Sequence, residues 1–170
     1  MRPELEREYV EYVSGRIPSL HRTAYMLCGD AHRADDIVQA TLAALYVGWK
    51  RAVGADNIDG YVHRILVRRY VDERRLRWSR VRLGEAQPDM VAAADHGIDE
   101  RDELVTALRS LPKGQRVVVV LRFLNDLSVE ATAETLGCSV GNVKSQCSRG
   151  LAALRAALGT EQQVRVGHDG

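Results

Sequence analysis

The chain has 170 residues, room for one medium domain or two small ones, and its 45% hydrophobic content excludes global disorder. Aromatic residues make up only 5% while Leu, Val and Ala dominate, a composition that suits packed helices. The net charge of +1 names no partner, so the distribution of charge along the chain has to carry that information.

Glu4 to Val13 is predicted to be helical, with Leu5, Tyr9, Tyr12 and Val13 on one side. Pro18 suits the first position of a second helix, whose apolar face is Leu20, Ala24, Leu27 and Cys28. Gly29 and Asp30 break it. A long helix is expected from His32 to Val53, with Ile37, Val38, Thr41, Leu42, Leu45, Tyr46 and Trp49 on its apolar face. Asp35, Asp36 and Gln39 lie on its exposed side near the start, where acids suit the helix dipole. Gly54 to Asp59 reads as a loop, and Asp59 as the cap of a helix from Gly60 to Val81.

That helix carries the most lopsided charge in the chain. Arg64, Arg68, Arg69, Arg74, Arg75, Arg77, Arg80 and Arg82 are answered only by Asp72 and Glu73. Tyr61, Tyr70 and Trp78 are interleaved with them. A charge run is usually a solvated face, but Arg with interspersed aromatics also binds phosphates and stacks on unpaired bases.

From Leu83 to Gly97 the periodicity dissolves into Gly, Pro, Ala and acids, and the stretch reads as an acidic flexible linker. Helical pattern resumes from Ile98 to Arg109 through Leu104, Val105 and Leu108. Pro112 starts another helix with Val117, Val118, Val120, Leu121 and Leu124 as its core, ended by Asn125. The valine run alone also fits a buried strand, but no partner strand is visible.

Leu127 to Leu158 has the pattern of a helix–turn–helix. Ser128 caps a short helix from Val129 to Leu136, Gly137 ends it, and Ser139 caps a longer helix to Leu158. Val140, Val143, Cys147, Leu151, Leu154 and Leu158 form its predicted buried stripe. Asn142, Lys144, Ser145, Gln146, Ser148 and Arg149 lie off that stripe, and no Asp or Glu occurs between Val140 and Leu158. A helix entering the major groove needs such donors and no repelling carboxylates. The tail after Gly159 is polar and expected to fray.

Enzyme and metal chemistry find no footing. His21, His32, His63, His96 and His168 are scattered, and Cys28, Cys138 and Cys147 show no CxxC or zinc spacing. No Gly-rich phosphate loop or nucleophile motif occurs. Catalytic residues, metal ligands, cofactors and a small-molecule substrate are therefore not expected. The charged start MRPELEREYVEY is unlike a signal peptide, and no apolar run has the length of a membrane span. A reduced, cytoplasmic protein without a membrane partner is expected.

Three stretches together resemble the extracytoplasmic-function (ECF) group of bacterial RNA polymerase sigma factors, over roughly residues 15–158. DDIVQATLAALYVGWKR at Asp35–Arg51 is similar to the family's core-polymerase-binding helix. YVHRILVRRYVDERRLRWSR at Tyr61–Arg80 is similar to its −10-element region, and Leu111–Arg155 to its −35-reading domain. The resemblance implies an all-α fold of two helical domains. Region 2 would span 1–82, an acidic linker 83–97, region 4 98–159 and a polar tail 160–170. It implies core RNA polymerase and promoter DNA as partners, commonly with an anti-sigma factor. Asp35, Asp36, Gln39 and Leu42 match polymerase-contacting positions. Arg64, Arg68, Arg69, Arg74 and Arg75 fall in the −10 region. Lys144, Ser145, Ser148 and Arg149 match −35-contacting positions, with Asn142 and Gln146 on the same helix. Two positions depart from the family pattern: Ala40, where many members carry Glu or Asp, and Arg68, where many carry Asn. The competing reading is a free-standing helix–turn–helix regulator, dimeric on palindromic half-sites.

Overall fold

In the computed structural model the backbone is described for residues 1–82 and 102–168, and the side chains for 1–72 and 102–159. All regular elements among the described residues are helices. The chain divides into two compact units, Met1–Asp89 and Met90–Gly170. The expected linker, 83–97, lies outside the described residues, as do the side chains of Arg74, Arg75 and Trp78.

Unit 1 opens with one helix where two were expected. α1 runs unbroken through Pro3–Cys28 with Pro18 inside it. An internal Pro removes a hydrogen bond and costs about 3 kcal/mol. Here Pro18 sits on the exposed face, so the freed carbonyl of Ser14 is left to water. Val13, Leu20, Ala24 and Leu27 stay in phase across it and are buried. Burying a Leu or Val contributes roughly 1.5–3 kcal/mol, so the continuous stripe outweighs the Pro. Gly29 closes α1 with φ 72°, the left-handed conformation a side chain would oppose.

The next expected helix, His32–Val53, is two. Asp30 caps α2 (Ala31–Val47), its carboxylate accepting from the N–H of His32 at 2.9 Å and Arg33 at 3.1 Å. Gly48 interrupts the helix before α3 (Trp49–Val53). A Cβ at Gly48 would lie 3.0 Å from the Tyr61 hydroxyl, so the glycine leaves room for the helix that follows. That helix, α4, spans Ile58–Arg82. Asn57 serves its start, accepting from Gly60 N–H at 3.1 Å. Asp59, the expected cap, sits inside the first turn and points to α1 instead. Ala24, Leu27, Leu45, Leu66 and Tyr70 are at most 1% exposed and form the centre of the unit.

Unit 2 is built around the valine run. α5 (Glu103–Arg109) precedes α6 (Lys113–Val119), which continues as a π-helical turn, Val120–Leu124. Every residue from Val117 to Leu121 is buried: the last helix of the unit lies along α6, and Val118 also meets Ala133 of the helix before it. Asn125 ends the π turn, its backbone N–H and its Nδ2 both donating to the Val120 carbonyl at 3.3 Å. Arg116 reaches back from α6 to the end of α5. Its guanidinium donates to the carbonyls of Leu108 (2.9 Å), Arg109 (3.1 Å) and Leu111 (3.1 Å), at and just past a helix end, where carbonyls lack the full set of intrahelical partners.

α7 (Val129–Leu136) and α8 (Val140–His168) follow the expected helix–turn–helix, but α8 continues beyond Leu158. The expected frayed tail is helical through His168. Gly159 and Gly167 are the breakers there, and the Glu, Gln, Val and Arg between them tolerate or favour a helix.

Candidate nucleic-acid interface

The turn before α8 is formed by its own residues. Ser128 Oγ accepts from Ala131 N–H at 3.0 Å to start α7. Gly137, with φ 67°, ends it in the left-handed conformation. Ser139 Oγ accepts from Asn142 N–H at 3.0 Å to start α8. Val143 is fully buried against Val118 and Ala133, and Val129, Leu136, Cys138 and Cys147 pack around them.

With Val143 fixed inward, helical rotation of about 100° per residue decides the rest of the face. Asn142, Lys144, Ser145, Ser148 and Arg149 are all exposed. They form one arc of donors free of carboxylates. Gln146 parts from that group. It is half-buried, and its Nε2 would lie 3.5 Å from a Cβ on Gly114, so its amide leans on α6. Val140 was expected on the buried stripe but is 36% exposed, because as the first residue of α8 it extends past the packed cluster. Cys138 is half-buried against the cluster, its N–H bonded to the Ala133 carbonyl at 3.0 Å.

On α4, Arg68 and Arg69 are exposed and Arg64 is half-buried. Tyr70 is not part of that surface. It is 1% exposed, because it continues the buried phase of Val62 and Leu66 at steps of four. Interleaving of aromatics with arginines in the sequence cannot separate a base-stacking ring from a core ring. Tyr61 is half-buried, with its hydroxyl at Gly48.

The third surface is on α2. Asp35, Asp36 and Gln39 are exposed, and Leu42 is half-buried with its carbonyl accepting from the Tyr9 hydroxyl at 2.8 Å. His21 Nε2 stands 3.6 Å from Asp35 Oδ1. At the other end of the helix Val47 is 88% and Tyr46 39% exposed, Tyr46 meeting the ring of Tyr9 edge-on at 5.2 Å. Acids at one end and bare apolar groups at the other suit a protein partner.

A polar cluster that the sequence did not reveal links α1 to α4. The Tyr12 hydroxyl and Arg16 Nε both donate to Asp59 Oδ1, the latter at 3.2 Å. The Arg16 guanidinium lies 4.8 Å from the Tyr12 ring centre, and His63 Nδ1 lies 2.6 Å from the Asp59 carbonyl. Burial, then the Asp59 carboxylate, push the Tyr12 hydroxyl far above its ordinary pKa. Burial alone would raise Asp59, but the hydrogen bonds from Tyr12 and Arg16 outweigh it and leave the carboxyl below its usual range.

Among the described residues no group of three or more His, Cys, Asp or Glu is placed to hold a metal ion. No helix among them is long and apolar enough to cross a membrane.

Residues 13–80 match the family described as Sigma-70 region 2, and residues 101–154 match Sigma-70, region 4. The RNA polymerase sigma-E factor of Streptomyces coelicolor is 36% identical over 158 residues, covering 89% of this chain and 86% of that protein. The ECF RNA polymerase sigma factor SigE of Mycolicibacterium smegmatis is 34% identical over 158 residues, covering 87% of this chain and 60% of that protein. In fold, the chain is similar to the sigma factor RpoE solved in complex with the anti-sigma factor NepR from Bartonella quintana. The TM-score is 0.74 at 23% identity, over 88% of this chain and 97% of that one.

Proposed function

The chain belongs to the ECF group of the sigma-70 family, promoter-directing subunits of RNA polymerase, and from that premise we propose which of its surfaces dock and which read DNA. The observation that carries the reading is the arc of exposed donors on α8 over the buried Val143. Lys144, Ser145, Ser148 and Arg149, with Asn142 at the helix start, read the −35 duplex in the major groove. Arg presents paired donors to guanine and Lys a point charge, while Ser adapts to either donor or acceptor. Gln146, leaning on α6, stands at the edge of this surface.

Arg64, Arg68 and Arg69 of α4, continued by Arg74 and Arg75, hold the phosphates of the −10 element while its strands part. Asp35, Asp36, Gln39 and Leu42 of α2 dock on core RNA polymerase. Residues 1–82 act as region 2, 83–97 as the linker, 98–159 as region 4 and 160–170 as a tail. Bond formation belongs to the polymerase, and we assign this chain no catalytic residue. An anti-sigma factor and a cytoplasmic site of action complete the proposal, the former supported by the complex in which the similar sigma factor was solved. A free-standing regulator would leave the region 2 match at residues 13–80 without a role.

Run-off transcription with core polymerase over a randomised promoter library tests the reading. Transcripts should start a fixed distance beyond an enriched pair of −35 and −10 sequences. No enrichment over core polymerase alone would refute it.

A further inference from the structure

α8 is seated on α6 at two points. Gly114 of α6 faces the amide of Gln146, a Cβ there lying 3.5 Å from Nε2. One turn further along α8, Gly150 faces Val119 and Gln115. A Cβ on Gly150 would lie 2.7 Å from Val119 Cγ2 and 3.3 Å from both Cβ and the carbonyl oxygen of Gln115. Carbon atoms in contact stand about 3.5–4.0 Å apart, so the first of these distances is a clash and not a tight fit.

Relief from the α6 side is restricted. Val119 is β-branched, stiff at χ1 in a helix, and only 4% exposed, beside the fully buried Val120 and Leu121. Two of the three neighbouring atoms are Gln115 Cβ and backbone oxygen, which move only with the helix. Those two contacts are tight but above 3.0 Å, so it is the clash with Val119 Cγ2 that makes a side chain at 150 lift or tilt α8 on α6. Glycine inside a helix carries a conformational cost, and here close approach offsets it. Gly150 is buried and lies one residue past the exposed Arg149.

We infer that Gly150 is a positioning residue for −35 readout: the notch it leaves sets the seat of α8 on α6, and so the depth and angle at which Lys144, Ser145, Ser148 and Arg149 meet the groove. The inference rests on the −35 reading above. Lys144 and Ser145 stand roughly 8–9 Å along the axis from Gly150, at 1.5 Å per residue. A tilt at the seat therefore carries to them, and hydrogen bonds to base edges tolerate only about 0.5 Å in length. Gly150 needs no contact with DNA for this.

The test uses the full chain reconstituted with core polymerase and competition binding on promoters with single-base changes at −35 or at −10. Gly150→Ala should fold, by circular dichroism, and lose at least threefold in discrimination among −35 variants while −10 discrimination holds. Shortening the opposing side chain in Gly150→Ala/Val119→Ala should restore −35 discrimination to within twofold of the parent. A merely structural role would lower the melting temperature without changing −35 ranking. Should Gly150→Ala not fold, Val119→Leu fills the same notch from the other side and should show the same selective loss. Parent-like −35 discrimination in the folded notch-filling variant, or no recovery in the double variant, overturns the inference. If Lys144→Ala and Arg149→Ala also leave −35 discrimination unchanged, the −35 reading itself has failed, and the two failures are thereby distinguished.

Discussion

The Tyr12 hydroxyl donates to the Asp59 carboxylate, tying the first helix of unit 1 to the first turn of the Arg-rich α4. Arg16 supplies a second donor to the same oxygen at 3.2 Å. The side chains of Arg16 and Asp59 are 46% and 50% exposed, so solvent screening holds the ion pair below about 1 kcal/mol. The folded-state pKa of Asp59 is depressed, so its contribution is present above the unfolded carboxyl range and lost as pH falls through the folded value. Asp59→Asn should therefore lower the melting temperature of unit 1 by a few degrees at pH 7. The gap to the parent should narrow as pH falls below the unfolded carboxyl value of about 4 and close below the folded value, where Asp59 is as uncharged as Asn. Melts between pH 7 and pH 2.5 check this; a gap that stays constant with pH would refute an ionic origin.

Neighbouring residues on α8 should behave oppositely. Val143 has no exposure, so Val143→Asp places a carboxylate without a partner in the core of unit 2 and should cost several kcal/mol. Lys144 and Arg149 are exposed, so Lys144→Ala and Arg149→Ala should leave melting within about 0.5 kcal/mol of the parent. Their effect should fall on DNA. A lost base contact costs about 1–3 kcal/mol at one position, whereas a lost phosphate contact weakens all sequences and lowers the salt slope by about 1. Circular dichroism and −35 competition binding read the two effects separately. A Val143→Asp variant as stable as the parent would show that this helix has been faced wrongly.

The helix–turn–helix was legible because its determinants are local. Ser128, Gly137 and Ser139 each act within four residues, and the buried stripe needs only a period of 3.6. What escaped the sequence depends on partners far along the chain. Asp59 looks like a helix cap until Tyr12, 47 residues earlier, claims its carboxylate. Gly48 looks like a tolerated glycine until Tyr61 fills the space beside it. Pro18 looks like a helix start because local propensity counts its cost and not the stripe that packs across it. Tyr70 and Val140 show the same limit for exposure: residue type and phase are readable, but not where the packed neighbours end.

Arg116 offers a test of unit 2 that leaves the DNA-reading face untouched. Its guanidinium serves the carbonyls of Leu108 and Arg109 at the end of α5 and of Leu111 just past it, at 2.9 to 3.1 Å. Hydrogen bonds from charged donors are worth about 1.5–3 kcal/mol, and a cation also suits the negative end of a helix. Arg116→Met should destabilise unit 2 by about 2–3 kcal/mol. Arg116→Lys should recover only part, because one ammonium does not reproduce the planar fork. Urea titration followed by circular dichroism measures both, and equal stability of the Lys variant and the parent would refute the clamp.

Reversing charge at the start of α2 should separate docking from folding. Asp35 and Asp36 are exposed, so Asp35→Lys/Asp36→Lys loses little packing. Both acids lie past the first turn of α2, where the helix dipole acts weakly, so the shift in melting should be small. If this face docks on a basic surface of core polymerase, the double variant turns attraction into repulsion. Rim charges of this kind act mainly on the association rate and its salt dependence. Association with core polymerase should therefore slow at least tenfold at low salt, and the deficit should shrink as salt shortens the screening length to about 3 Å near 1 M. His21, 3.6 Å from Asp35, gives a control on the same surface, because His21→Ala leaves both acids in place and should dock like the parent. Stopped-flow association of labelled protein with core polymerase reads these rates. Parent-like association of the double variant at low salt would remove α2 from the docking surface.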